Sequence, residues 1–379
     1  MRIIPIASGK GGVGKSLVAA NLAVAFAQAG KQTVLADLDL GASNLHLVIG
    51  HQAPQAGIGT FLNDTRSDFS KVIAHTDIPN LRFIPGDNEI PGSANLKASQ
   101  RKALVRRLMA LDADILILDL GAGTHQSILD FFLLSGQGIV VSAPTVTATL
   151  NAYVFLKNAV FRVMYTSFTK GSGAHSYLEK LRKDGSPLQR LYIPKMLQEI
   201  QRIDTLSYEK FKERMDHFHP RLIMNMIEDP KDADVAMKIR RSCEEYLDLK
   251  IEHLGIMYRD SMQDTALSSR LPILLYKPQS ILSQAIYRIA DKIIQTDEDD
   301  FVFSEQSIDD SFQEASMEAE IDFGNKMEYV EELLHSGALS PGDLVETVKT
   351  QQFEITKLKK ENNFLKFKLS KAISLGFKP

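Results

Sequence analysis

The sequence predicts an α/β protein with a doubly wound, mostly parallel sheet flanked by helices, and three observations predict it. Short apolar runs of strand character alternate with helical patterns from residue 2 to about residue 161. Two of those runs, residues 32–37 and 114–119, end in aspartate, which places polar groups at the carboxyl edge of buried parallel strands. The first run, residues 2–7, passes through Gly9-Lys10-Gly11-Gly12-Val13-Gly14-Lys15-Ser16 into an alanine-rich helical pattern over 17–29.

That strand–turn–helix order gives the glycine-rich turn its meaning. A helix N-terminus carries unpaired backbone N–H groups and partial positive charge, and is a natural anion site. Glycines let the backbone close around phosphate oxygens where a Cβ would clash. Gly9, Gly14, Lys15 and Ser16 have the phosphate-loop spacing, in which Lys15 reaches the terminal phosphates and the Ser16 hydroxyl ligates Mg²⁺. Asp37 and Asp39 follow the next apolar run and point to the same crevice. Asp119 ends residues 114–119 as a Walker B acid, whose task is to hold Mg²⁺ through water.

Lys10, just after the first glycine, makes the loop Lys-Gly-Gly-Val-Gly-Lys-Ser. This resembles the deviant Walker A loop of the MinD/ParA family of P-loop ATPases. The resemblance implies ATP and Mg²⁺ as cofactors and a homodimer on ATP binding, in which Lys10 crosses to the partner's nucleotide. It implies Lys10, Lys15 and Asp39 as catalytic residues, with Asp39 positioning the attacking water. Gly9 to Ser16 would bind nucleotide, Val13 included, and Ser16, Asp37 and Asp119 would serve the metal, Asp37 from its outer shell. Residues 41–50 and 120–124 resemble the two switch regions, and Asn225, near the end of the strand-like run 221–226, would read the adenine base. The chain departs from the pattern at Gly121 and at Met257-Tyr258, where relatives have proline and Ile-Pro. Its Gly121-Ala122-Gly123 is more like the flagellar-placement (FlhG-like) branch than the division-site branch. The resemblance covers about 1–295, less an insertion.

That insertion, about 166–220, has no β character and holds 10 Lys+Arg against 7 Asp+Glu, so it reads as helical. A protein-partner surface is expected there ahead of a nucleic-acid one, because the acids interleave with the bases. Formal net charge is −3, yet residues 1–295 carry 35 Lys+Arg and 29 Asp+Glu, while 296–379 carry 9 and 18. The organisation expected is therefore an ATPase domain over 1–295, an acidic linker over 296–325 and a helical tail over 326–379. Thr296 to Gly324 contains 11 acids and no base, with Phe301, Phe303 and Phe312 as isolated apolar anchors. Beyond it, Leu344, Val348, Gln351, Ile355, Leu358, Asn362, Leu365, Leu369 and Ala372 keep heptad spacing. Residues 364–377 are also basic and amphipathic. A coiled coil, a helix lying on an anionic membrane surface and a helix packed on its own core all stay open.

Cys243 is the one cysteine, which excludes an intramolecular disulfide and argues against iron–sulfur carriers built on the same loop. Met1 leads into the first strand without a leader pattern, and no apolar run approaches the ~20 residues of a membrane span. A cytoplasmic protein, peripheral at the inner membrane face if the tail binds lipid, is expected. The function expected is a Mg·ATP-dependent dimerisation switch with slow hydrolysis, positioning a flagellum, division site or chromosome. The alternatives are an ATP-dependent amidase or carboxylase of small metabolites on the same fold, and a nucleic-acid-binding partition or regulatory protein.

Overall fold

Runs that are apolar on both faces must be covered by helices on both sides, and this requirement builds the core. The computed structural model describes the chain except residues 42, 53–55, 65, 67, 87–95, 184–191, 297–303, 337–340 and 375–379. Its first half runs β1 (Arg2–Ser8), α1 (Lys15–Gln28), β2 (Thr33–Leu38), α2 (Leu45–Val48), α3 (Ile58–Asn63), β3 (Ala74–His75), β4 (Leu81–Ile84), α4 (Ala98–Met109), β5 (Ile115–Ala122), α5 (Gln126–Phe132), β6 (Ile139–Ser142) and α6 (Val146–Ser167). The second half adds α7 (Gly173–Lys183), α8 (Ile193–Ile203), α9 (Thr205–Met215), β7 (Arg221–Ile227), α10 (Asp234–Leu247), β8 (Glu252–Tyr258), α11 (Met262–Ser268), α12 (Ile273–Tyr276), α13 (Ile281–Gln295), α14 (Glu305–His335) and α15 (Pro341–Ser374).

Among the described residues, eight strands form one sheet in the order β3-β4-β2-β5-β1-β6-β7-β8. Only the short β3 is antiparallel to its neighbour. The central strand β1 lies between β5 and β6, so the glycine loop leaves the middle of the sheet at its carboxyl edge. That is where an open parallel sheet places its ligand crevice. The helix that follows, α1, is apolar nearly all round and is buried accordingly: Val18, Leu22 and Phe26 join Ile286, Ile289 and Ile293 of α13 and the strand residues Ile4, Ile6 and Ile117 in one core.

The stretch 51–80 contains α3 and a 3-10 turn, Phe69–Val72. Phe61 and Phe69 meet edge-on there, 4.8 Å between ring centres, which gives the segment its own anchor. Among its described residues the insertion holds three helices, α7 to α9. Pro194 stands in the first turn of α8, and Asp204 caps α9 by accepting from the Ser207 N–H at 3.1 Å.

The acidic stretch is the main correction. In place of a linker, α14 begins at Glu305, and its first half lies against β8, α10 and α13. Ile308, Phe312, Ala315 and Ala319 are buried. The Ser311 hydroxyl accepts the His253 N–H of the edge strand at 3.1 Å, and Tyr258 donates to the Ala319 carbonyl at 2.7 Å. The acids face bases contributed by the core: Asp309 pairs with Arg240 at 2.5 Å, Glu318 with Lys292 at 2.8 Å, and Asp322 with Arg288. The helix thereby shields the edge strand, which would otherwise offer unpaired backbone groups. The chain divides into two compact units, Met1–Asp322 and Phe323–Pro379. Of the three apolar anchors expected in the stretch, Phe312 is buried, and Phe301 and Phe303 fall outside the described residues. No helix among the described residues is long and apolar enough to cross a membrane.

Phe312 is 4% exposed, with His253 5.0 Å away ring to ring and the Arg240 guanidinium 5.0 Å over its face. Phe312→Ala is expected to destabilise the protein by about 3–5 kcal/mol in urea unfolding, the usual range for emptying a buried aromatic site. Beside it, burial and then the Lys292 charge hold the His253 imidazole down from 6.5 to about 3. The unfolded chain binds that proton at higher pH than the folded one, so stability falls as pH drops through this window. Unfolding midpoints measured between pH 7 and pH 5 should therefore fall more steeply for the native protein than for His253→Leu.

Candidate nucleotide site

The loop is shaped by two glycines that nothing larger can replace. Gly14, the residue before α1, has φ of 83°, and a Cβ there would also come within 2.2 Å of Asn225 Nδ2. Gly9 lies flat against α6, where a Cβ would stand 2.0 Å from the Asn151 carbonyl oxygen. Asn225, 4% exposed at the end of β7, donates from Nδ2 to the Val13 carbonyl at 2.8 Å and accepts the Met226 N–H at 2.8 Å. Met226 itself has φ of 60°, an uncommon value for a side-chain-bearing residue, at the point where β7 and β8 lose register. The loop is thus held by α6 on one side and by the β7 end on the other.

Lys15 and Ser16 open α1, and Lys15 is 6% exposed. Its ammonium makes a buried ion pair with Asp119 Oδ1 and also donates to the Ser16 hydroxyl at 3.3 Å. Burial pushes the Asp119 carboxyl above its ordinary range, opposed by the Lys15 charge and by hydrogen bonds from Lys15 and Ser16. Its other oxygen, Oδ2, is buried without a hydrogen-bond partner among the described residues.

Asp37 stands directly beside Asp119, paired with it across β2 and β5. It accepts from the Ser43 hydroxyl at 2.6 Å and from the backbone N–H groups of Asp39 and Leu45 at 3.1 and 3.3 Å. Burial first, and the Asp119 charge second, raise its carboxyl to about 7. The hydrogen bonds from Ser43, Asp39 and Leu45 favour the carboxylate and oppose that rise. Ser43 Oγ also sits 2.9 Å from the Gly86 carbonyl, so its one proton lies between two acceptors.

Asp39 lies further out, half-buried over Gly121, where a Cβ would come within 3.3 Å of its Oδ1. Lys10 differs from Lys15 altogether. It is exposed and donates to Thr147 Oγ1 at 2.8 Å, next to Val146 and Leu150, which are 85% and 59% exposed. Gly121 and Ala122, expected in a switch loop, extend β5 instead.

The donor set fits a hydrated Mg²⁺ bound with phosphate. No cluster of three or more acidic, histidine or cysteine side chains that would hold an ion alone occurs among the described residues. The residues present are a hydroxyl, Ser16, and a carboxylate with an unsatisfied buried oxygen, Asp119, at an anion-binding helix start. Such a site completes an ion's shell with phosphate oxygens and water. Residues 4–273 match the CobQ/CobB/MinD/ParA nucleotide-binding domain.

The chain belongs to that family. It is 32% identical over 153 residues to a septum site-determining protein MinD of Synechocystis, covering 40% of this chain and 56% of the relative. It is 26% identical over 159 residues to the antiactivator FleN of Pseudomonas aeruginosa, covering 41% and 56%. The alignments therefore span about half the length of these curated relatives. In fold it is similar to the MinD of Pyrococcus horikoshii solved with Mg-ADP, with TM-score 0.52, 19% identity, and coverage of 78% of this chain and 96% of that one.

In this MinD/ParA-family chain, two site residues have protein partners that the sequence did not announce. Asp37, expected at the metal's outer shell, is engaged by three donors of the segment that follows it. Asn225, expected on the adenine base, has its amide on the loop backbone. Three residues of the site were missed by sequence reasoning: Ser43, Gly86 and Asn151. Ser43 carried a faint signal as the one hydroxyl in residues 41–50; Gly86 and Asn151 act through backbone carbonyls, which no side-chain pattern marks.

The glycines separate architecture from ligand contact. A Cβ at Gly11 would have nothing within 4 Å, so Gly11→Ala is expected to leave thermal unfolding unchanged while weakening ATP binding, because a side chain there stiffens and crowds a backbone that must close on phosphate. Gly9→Ala is expected to lower both, since α6 must yield to it. Differential scanning fluorimetry with and without Mg·ATP distinguishes the two.

Proposed function

We propose that this chain is a Mg·ATP-dependent switch that pairs with a second copy when ATP is bound, hydrolyses it slowly, and thereby positions a large cellular assembly. The observation that carries the reading is the division of labour between two lysines of one loop. Lys15 is buried on Asp119, set to serve its own phosphates. Lys10 is exposed at the surface amid exposed apolar residues, set to serve a neighbour's. The named relatives, a septum site-determining protein and an antiactivator, support an output of place and regulation.

Bound Mg·ATP supplies a transferable phosphoryl group whose charge the metal partly neutralises. Ser16 and Asp119 would hold the ion. Lys15 would exchange Asp119 for phosphate oxygens, and the loop N–H groups would bind the remaining charge. Asp39 would orient the attacking water and accept a hydrogen bond from it. Asp37, through Ser43, Asp39 and Leu45, would tie the first switch region to this event. Asn225 would fix the loop and remains the base-contact candidate. The insertion α7–α9 offers the surface for a protein cargo or activator.

The assignment is testable by complementation. Lys15→Ala is expected to lose ATP binding and Lys10→Ala to bind ATP without turnover, so each alone should be inactive. Co-expressed, they should recover part of the ATPase rate, because a Lys15→Ala subunit still offers Lys10 to its partner's nucleotide. A mixture no more active than its parts would overturn the crossing role.

A further inference from the structure

The tail carries an interaction surface whose partner can be read from its chemistry. α15 is a continuous helix of 34 residues, about 51 Å long at 1.5 Å per residue. Ile355, Leu358, Leu365 and Leu369 are 42%, 60%, 63% and 46% exposed, and Asn362 is exposed in line with them. Their spacing, three then four, then three then four, defines a stripe two positions wide per heptad. That is the width of a coiled-coil seam, narrower than the face a helix turns toward a globular core.

We propose that α15 pairs with α15 of a second copy in a parallel, in-register, two-stranded coiled coil that forms without nucleotide. With Ile355 at position a, Leu358 and Leu365 fall at d, and Val348 and Asn362 also fall at a. A β-branched residue at a with leucine at d favours two strands, and a single asparagine at a fixes alignment at some cost in stability. The flanking charges decide direction. Glu354 and Glu361 occupy g, and Lys359 and Lys366 occupy e, five residues further on in each case. In a parallel dimer, g of one helix meets the following e of the other, so both glutamates face lysines of the second copy, twice over by symmetry. In an antiparallel pair, e meets e and g meets g, which sets lysine against lysine and glutamate against glutamate. The surface is complementary to itself, and a second copy is its occupant.

The consequence reaches beyond the ATP-driven pairing proposed above, because the tail joins two copies at all times. Sedimentation equilibrium of the full chain without nucleotide is expected to give twice the mass of one chain. Leu358→Glu with Leu365→Glu should give monomers, and a dimer surviving both changes would place the contact elsewhere and overturn the proposal. Lys359→Glu with Lys366→Glu should raise the dimer Kd at least about tenfold, as should Glu354→Lys with Glu361→Lys; mixed together, the two proteins should pair at native strength. Asn362→Cys should form an intermolecular disulfide on mild oxidation, as only a parallel, in-register pair brings the two together; the native Cys243 is buried and does not compete. A nucleotide-free monomer, or an Asn362→Cys protein that does not cross-link, would overturn the proposal. So would a chain monomeric in solution that floats with phosphatidylglycerol vesicles, which would make lipid the occupant.

Discussion

Two carboxylates placed side by side in the interior of a parallel sheet repel each other and lose their water, and the nucleotide end of this molecule is arranged around that cost. Asp37 and Asp119 are register partners on β2 and β5, both 1% exposed. The fold relieves them in different ways. Asp119 receives the Lys15 ammonium, whereas Asp37 receives three hydrogen bonds and a raised affinity for a proton. The relief is incomplete, since Asp119 Oδ2 stays unsatisfied. The buried pair is therefore poised rather than settled, and cationic ligands entering the crevice act on an existing imbalance. Because Asp37 holds Ser43, Asp39 and Leu45, a change of charge beside Asp119 reaches the segment after β2 through bonds already in place.

The parts of this site that were legible in the sequence are those whose chemistry is local. Lys15, Ser16 and the acids ending two apolar runs are placed by their own strand or helix, so their neighbours in sequence announce them. The hold of Asn225 on the loop was not legible, because its partner, Val13, is 212 residues away and is reached across the sheet from β7. The acidic stretch failed for a related reason. Charge counted along the chain registers 11 acids and no base, and reads self-repulsion. The opposing charges, Arg240, Arg288 and Lys292, are supplied by α10 and α13, where composition cannot see them. A local signal was nevertheless present, because Ile308, Phe312, Ala315 and Ala319 repeat at helical spacing. The pair Arg240–Asp309 is half open to water and adds little by itself, whereas Asp322 is buried against Arg288. The apolar stripe holds α14, and the charges fit it to a basic surface.

A tail that dimerises by itself changes what nucleotide has to accomplish. Two free heads at low concentration must pay the full cost of association each time ATP binds. Heads tethered through α15 meet at an effective concentration set by the connection, commonly in the millimolar range for short flexible links. Weak, reversible contact around Lys10, Val146 and Leu150 would then suffice, and ATP would control how the two heads engage rather than how many chains are present. Such a division suits a slow ATPase. In the proposed arrangement the permanent contact would lie in a seam of Ile, Leu and Asn remote in sequence from the glycine loop, and the switchable one would be left to the charges that hydrolysis removes.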